Sequence, residues 1–352
     1  TGGGCPHILA EPQRTNLIPY SEDLTNAFYL TTGIGTVTES TTLSPDGTSY
    51  GYTITPTSSA TNHYFNYNYG QLTVVIGDEV TYSIFVKPNG YNFIQLASSS
   101  GFPAKYQNFE LTGDGVIGTG DISGKTIEKI GDWYRCSVTE TASGVNPRFL
   151  LSPSETALAT RNPVYSGNGT DGVLGWGVQV EVGSYPTSLI PNFGTAAGVT
   201  RNQDIFTRDG IGSLINSTEG VLFAEIAALD TTIDSGYLSL NNGGNYQIRI
   251  GYLSGNIYIQ IRINGAIPYA YSFVGTITDF NKIAVKWTDT TQKVYVNGSP
   301  VDSGTASTIL PSGTLNNMEF AVNGVTPLFA KVKQLQVYDT ALTDGQLTSL
   351  TT

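Results

Sequence analysis

The chain has 352 residues, with 17 Lys plus Arg against 28 Asp plus Glu, a formal net charge of −11 and only 13% charged residues. That length accommodates two domains of roughly 100–200 residues, each with its own core. The acidic balance offers no electrostatic footprint for a phosphate backbone or an anionic lipid surface, which argues against nucleic-acid and membrane partners. No apolar run approaches the roughly 20 residues of a membrane helix. Gly occurs 41 times and Tyr 21 times, whereas Met occurs once. The vocabulary is that of strands and turns.

The start, Thr1-Gly2-Gly3-Gly4, has neither the basic nor the apolar segment of a signal peptide, so a soluble protein excised from a longer chain is expected. In the first half, period-two runs occur at residues 80–86, 93–96, 134–138 and 174–182, separated by turn dipeptides such as Asp46-Gly47, Asp114-Gly115 and Gly131-Asp132. Alternation of this kind marks half-buried antiparallel strands. Cys136 shares the parity of Tyr134 and Val138 and is expected as a buried thiol. A bridge from Cys5 to Cys136 needs Cα atoms within about 7 Å, which spacing leaves open.

Between about residues 185 and 212 the alternation breaks into Pro-, Gly- and Ala-containing segments, placing a boundary near Arg201. Beyond it, about eight further runs fit a second sandwich. Asn264-Gly265, Asn297-Gly298 and Asn323-Gly324 each sit between strand-like runs and predict two-residue type I′ hairpins. Only the tail reads as a helix, with Thr343 as N-cap and Gln346 reaching back to it. The predicted class is all-β: two tandem antiparallel β-sandwich (jelly-roll) domains, 1–200 and 201–352, with a short C-terminal helix.

In the second half, residues 282–287 (KIAVKW), 293–298 (KVYVNG) and 330–343 (AKVKQLQVYDTALT) stand in the order of a strand ending in Trp, a strand entering Asn-Gly, and a last strand with its exit. This resembles laminin G-like, concanavalin A-like lectin domains. In the first half, residues 9–23, 131–139 and 176–188 resemble a jelly-roll module of bacteriophage tail and head-fibre proteins, similar in pattern to family 4/9-type carbohydrate-binding modules. In those relatives a further segment precedes a Thr-Gly-Gly-Gly-Cys-Pro start, so the resemblance also implies a longer polypeptide.

Catalysis finds little to work with. The two histidines, His7 and His63, belong to no catalytic motif, and neither a nucleophile elbow, a zinc helix nor a phosphate loop is present. Concanavalin-type lyases carry a Gln-Ile-His strand, and the nearest string here is Gln247-Ile248-Arg249. No enzyme activity is expected, although a pair of carboxylates at glycosidase spacing could escape a sequence reading. Glycan binding needs flat aromatic faces and short polar side chains. The segment holding Tyr64, Asn66, Tyr67, Asn68 and Tyr69 supplies both, with Tyr67 and Tyr69 on one face if extended, unless these rings serve cross-strand packing instead. In the second domain Tyr246, Tyr252, Tyr258, Tyr269 and Tyr271 cluster around short polar turns, with Tyr246 and Tyr252 the leading candidates, unless these tyrosines serve protein–protein contacts instead. Trp133, Trp176 and Trp287 are expected inside. The resemblance further implies a structural calcium ion, for which Glu22, Asp23 and Glu181 occupy matching regions, although Gln179 stands where another acidic ligand would fall.

Together these readings lead to a virion fibre or spike component at a virion surface. It would engage host cell-surface glycans without covalent chemistry, contact other virion proteins, and assemble as a homo-oligomer, by analogy with other fibres a trimer. The alternatives are a purely structural or decoration protein and the accessory carbohydrate-binding region of a secreted polysaccharide-degrading enzyme.

Overall fold

The computed structural model describes residues 7–67, 70, 72–305 and 310–352. It is all-β apart from one 3-10 turn, Gly212–Leu214, and one α-helix, Asp344–Thr351, as the sequence predicts. No helix among the described residues is long and apolar enough to cross a membrane. The chain forms two compact units: Gln13–Asn202, and residues 7–12 together with Gln203–Thr352.

The first unit holds two six-stranded antiparallel sheets. One runs Val116–Gly120, Tyr106–Glu110, Phe93–Ser99, Arg148–Ser154, Tyr64–Tyr67, Tyr29–Thr32; the other runs Gly124–Ile130, Trp133–Thr141, Glu79–Asn89, Gly172–Val182, Tyr50–Ile54, Thr38–Leu43. Period two decides what each strand buries. Glu79–Asn89 sends Val80, Tyr82, Ile84 and Val86 into the core, where they meet Ile94, Leu96, Phe109 and Phe149. Its other face carries Phe85, which with Trp133, Leu174 and Trp176 forms a small separate apolar layer. The two tryptophans are therefore buried, but outside the main core. A register shift between Trp176 and Gln179 contains Gly177 at φ 64°, a β-bulge that only glycine enters without strain. Cys136 is free and wholly buried, opposite Ile84 and Ile127 in its neighbours, and burial pushes its thiol pKa well up. Cys5 lies outside the described residues.

The second unit repeats the plan. One sheet runs Ile8–Ala10, Ala330–Tyr338, Gly220–Ala228, Asn281–Trp287, Gln292–Val296, Ser299–Gly304; the other runs Thr207–Arg208, Asn317–Glu319, Ser235–Asn241, Gln247–Leu253, Asn256–Ile263, Ala266–Phe273. Leu222, Leu238, Ile250, Ile259, Val285 and Trp287 meet between them. All three Asn-Gly pairs have positive φ at both residues, the conformation a type I′ hairpin requires. Thr343 and Gln346 form the reciprocal capping box at the helix start, and Leu347 fills a small cluster with Val221, Phe223, Ala284 and Tyr295.

One segment departs from the expectation of 1–200 as a continuous domain. Ile8–Ala10 pairs with Ala330–Tyr338 and places Ala10 in the second unit's core, while Arg14–Asn16 pairs with Val199–Arg201 in the first unit. The last long strand would otherwise present an unpaired edge, and the N-terminal strand covers it.

Candidate glycan-binding face

Strand parity turns two of the predicted contacts, Tyr67 and Tyr252, into the cores. In Tyr64–Tyr67, Phe65 and Tyr67 point into the first core. Tyr67 is 1% exposed, stacks on Phe28 at 6.0 Å, and its hydroxyl accepts a 3.2 Å bond from the Phe149 amide. Its ring has no face left for a sugar, and burial drives its phenol far above the ordinary value. Tyr252 has the parity of Ile248 and Ile250 and is likewise fully buried. Tyr246 packs half-buried against the second core. Asn68 and Tyr69 lie outside the described residues. Tyr64, half-buried, and Asn66, 4% exposed, have the outward parity of the first sheet.

On that outward face Asn66 stands between Leu30 and Leu150 in register, and its Oδ1, like Ser152 Oγ, has no hydrogen-bond partner. Much of the face beside it is closed by the chain itself. Gln95 donates to the carbonyl of Thr160 (3.0 Å) and accepts from the amide of Asn162 (2.7 Å); Asn108 donates to the carbonyl of Ala159 (2.7 Å); Arg161 donates to the carbonyl of Ser98 (2.7 Å). His63, almost fully buried, places its two ring nitrogens against the carbonyls of Gly33 and Tyr165. It ties segments together and approaches no acid or nucleophile in those contacts. An open hollow of about 460 Å³ elsewhere in this unit is lined by Thr36, Thr38, Thr53, Thr55 and Thr57 among others, with no aromatic ring to stack on.

The expected calcium ligands, Glu22, Asp23 and Glu181, have the following partners. Glu181 is buried and accepts bonds from the amide (2.8 Å) and hydroxyl (3.1 Å) of Thr187 and from the Gln179 amide, with Arg14 Nε at 3.9 Å. Burial raises its pKa despite these partners. Asp23 is occupied by the amide and hydroxyl of Thr25, and Glu22 is raised by burial and by the charge of Asp46. Among the described residues no three acidic, histidine or cysteine side chains come close enough to hold an ion. Gln179 and Glu181 serve instead to pin residues 187–190, through Thr187 and through the Ile190 amide (2.7 Å).

The second unit assembles a different face, in which Tyr258, one of the tyrosines expected near polar turns, is joined by residues that were not expected as contacts. In Gln247–Leu253 and Asn256–Ile263 the isoleucines fill the core, so Gln247, Arg249, Gly251, Tyr258, Gln260 and Arg262 share the opposite side. Tyr237, Gly251 and Tyr258 are partners in register across three strands. Since Gly251 has no side chain, the two tyrosines reach across it, their ring centroids 6.0 Å apart. A Cβ at Gly251 would lie 2.0 Å from the Gly236 carbonyl oxygen, so the gap is obligatory.

Arg249 Cζ stands over the Tyr237 ring, 4.9 Å from its centroid, and Nη2 donates a 2.6 Å bond to Gln247 Oε1. Gln260 donates to Tyr258 Oη at 3.3 Å, leaving its own Oε1 without a partner. The floor is nearly closed, Arg249 being 8% exposed, while Tyr258 and Arg262 are half-exposed and Ala270 and Ser272 of the next strand are open. At the other end Glu319 accepts from the Asn241 side chain (2.8 Å) and from the amides of Asn323 and Gly324, which fixes that turn beside the face.

Residues 223–348 match the Concanavalin A-like lectin/glucanases superfamily. Pattern and architecture thus agree on a lectin-like sandwich for the second unit. No curated protein matches the chain. Among solved structures, the CBM40 of Ruminococcus gnavus IT-sialidase bound to α2,3-sialyllactose aligns at TM-score 0.34 and 15% identity, over 42% of this chain and 98% of its own. Domain 4 of AbnA, a GH43 extracellular arabinanase from Geobacillus stearothermophilus, in complex with arabinotriose, aligns at 0.33 and 20%, over 40% and 69%. The receptor-binding domain of botulinum neurotoxin C/D mosaic serotype aligns at 0.34 and 12%, over 42% and 40%.

The missed residues carried a signal. Gln247-x-Arg249-x-Gly251 and Tyr258-x-Gln260-x-Arg262, each interleaved with isoleucine, put one polar residue from each pair of positions on a common face. Choosing tyrosines by abundance rather than by parity selected Tyr252, which faces the core.

Proposed function

We propose that this chain binds glycans without catalysis through the tyrosine face of its second unit, and that it does so as an attachment component displayed on a virion fibre or spike. The observation that carries the binding reading is the half-exposed Tyr258 ring, backed over Gly251 by the buried Tyr237 and set beside Arg249 and the side chains of Gln247 and Gln260. Aromatic carbon faces stack on sugar C–H surfaces, and fixed amides and guanidinium groups bond hydroxyls. Glycan binding also accords with the lectin superfamily match. The virion setting rests on the resemblance of residues 9–23, 131–139 and 176–188 to phage fibre modules. In an assembly of several copies, weak sites would combine into firm adhesion.

The test is staining of bacterial cells by the fluorescently labelled chain, before and after periodate oxidation of surface sugars. Binding that disappears with periodate and falls at least roughly tenfold in Tyr258→Ala supports the reading. Periodate-resistant staining, or none on any glycan array, sinks it in favour of a structural or decoration role.

A further inference from the structure

Two guanidinium groups share the tyrosine face. Gln247 is the register partner of Arg262, and Arg249 follows two residues later with the same parity, so both arginines stand on one side of adjacent strands. The ionisable groups acting on Arg249 are Arg262, Tyr237 and Tyr258, with no carboxylate among them. Burial, and after it the charge of Arg262, pulls Arg249 below the ordinary arginine value. Neither arginine forms an ion pair among the described residues. Glu319, on the same row beyond Ser239, turns its oxygens to Asn241, Asn323 and Gly324 and pairs with neither arginine. Two adjacent, partly desolvated cations without a directly paired carboxylate are unfavourable unless an anion completes them. They stand in a chain of net charge −11, where general attraction of anions is not available to explain them.

We infer that Arg249 and Arg262 form a carboxylate subsite, receiving the acid group of a uronic or sialic-type sugar whose ring lies against Tyr258. The inference rests on the reading of this face as a glycan platform and names its ligand class. Guanidinium forks match the planar geometry of a carboxylate and bond it in pairs. Arg249 is already positioned for this, since it stands over Tyr237 and Gln247 holds Nη2, while Nη1 bonds nothing among the described residues. Arg262, half-exposed, supplies the outer half of the clamp.

The experiment uses the full chain and three acidic polysaccharides, polygalacturonate, alginate and polysialic acid, each beside its carboxyl-reduced form, with dextran sulfate as a control for charge alone. At least one acidic polymer is expected to bind and to lose roughly tenfold or more in affinity on carboxyl reduction. Arg262→Gln, with an unchanged melting temperature, should lose the same factor on the acidic form and little on the reduced one. Arg249→Gln should do likewise, and Arg262→Lys should keep part of the affinity. Equal binding of acidic and reduced forms, equal binding of dextran sulfate, or unaffected glutamine variants would overturn the acid subsite while leaving a glycan platform standing. Failure to bind any polysaccharide, acidic or neutral, would overturn the platform and the subsite together.

Discussion

The two units build the same object, a six-stranded sheet with a polar outward face, and use it differently. In the first unit Gln95, Asn108 and neighbouring backbone groups are bonded to the carbonyls and amides of residues 157–162, so a stretch of the same chain occupies much of the face. In the second unit, among the described residues, the side chains of Arg249, Gln260 and Tyr258 bond to one another and to Gln247, and neither arginine forms an ion pair. A buried polar row is therefore not in itself a site. What matters is whether its hydrogen-bonding capacity is spent on the chain or kept.

The contrast can be broken most forcefully at Tyr67. If this ring is core rather than ligand platform, Tyr67→Ala should destabilise the first unit by about 3–5 kcal/mol in denaturant unfolding, the range for removing a buried aromatic ring. Glycan binding by the second unit should survive. Selective loss of binding without loss of stability would reverse the assignment of the two faces.

A smaller effect is expected at Gly251. A methyl group there meets backbone at 2.0 Å, so Gly251→Ala should cost about 1–3 kcal/mol and force Tyr237 and Tyr258 apart. Calorimetry should show the lower melting transition in the second unit only, and binding should fall with it. Arg161→Ala removes the tie to the Ser98 carbonyl and should cost the first unit about 1 kcal/mol, with faster proteolysis within residues 155–165. If the uncovered face then binds glycan, the two units differ only in that covering.

The mildest prediction concerns pH. Glu22, Glu140 and Glu181 in the first unit all have carboxyl pKa values raised above their ordinary 4.5, in each case chiefly by burial. The native state then takes up protons before the unfolded one. The stabilising contribution grows as pH falls through the raised values, is complete below about 4.5, and is lost again as pH rises. Asp344 in the second unit is shifted the other way by Lys293, so its contribution persists above its ordinary 3.8 and fades only below that. As pH is lowered toward about 4.5 the first unit's melting temperature should rise while the second unit's stays flat. A parallel rise in both would contradict the assignment.

Much of the fold was legible because it depends on local alternation. The strand at 80–86, the buried tryptophans, the Asn297-Gly298 hairpin and the Thr343–Gln346 cap all follow from rules acting over two to four residues. The candidate site was less legible. Alternation says that Tyr67 and Asn66 face opposite ways but not which way is in, and Tyr67 proved to be the core residue. For Gln247, Arg249 and Arg262 the interleaved isoleucines did settle the inward side, and their strands are neighbours in the chain as in the sheet; what alternation left open was the hairpin register that sets which residues stand side by side.

By itself, then, the sequence determined the class, the hairpins, the capped helix and the parity of each strand, since these follow from backbone geometry and nearest neighbours. Tertiary structure decided which strand edges needed covering, and so drew Ile8–Ala10 into the second unit. It also decided that Tyr237 and Tyr258, 21 positions apart in the chain, would meet over the one residue small enough to let them. The register between successive strands fixes such meetings, and register is a property of the folded sheet.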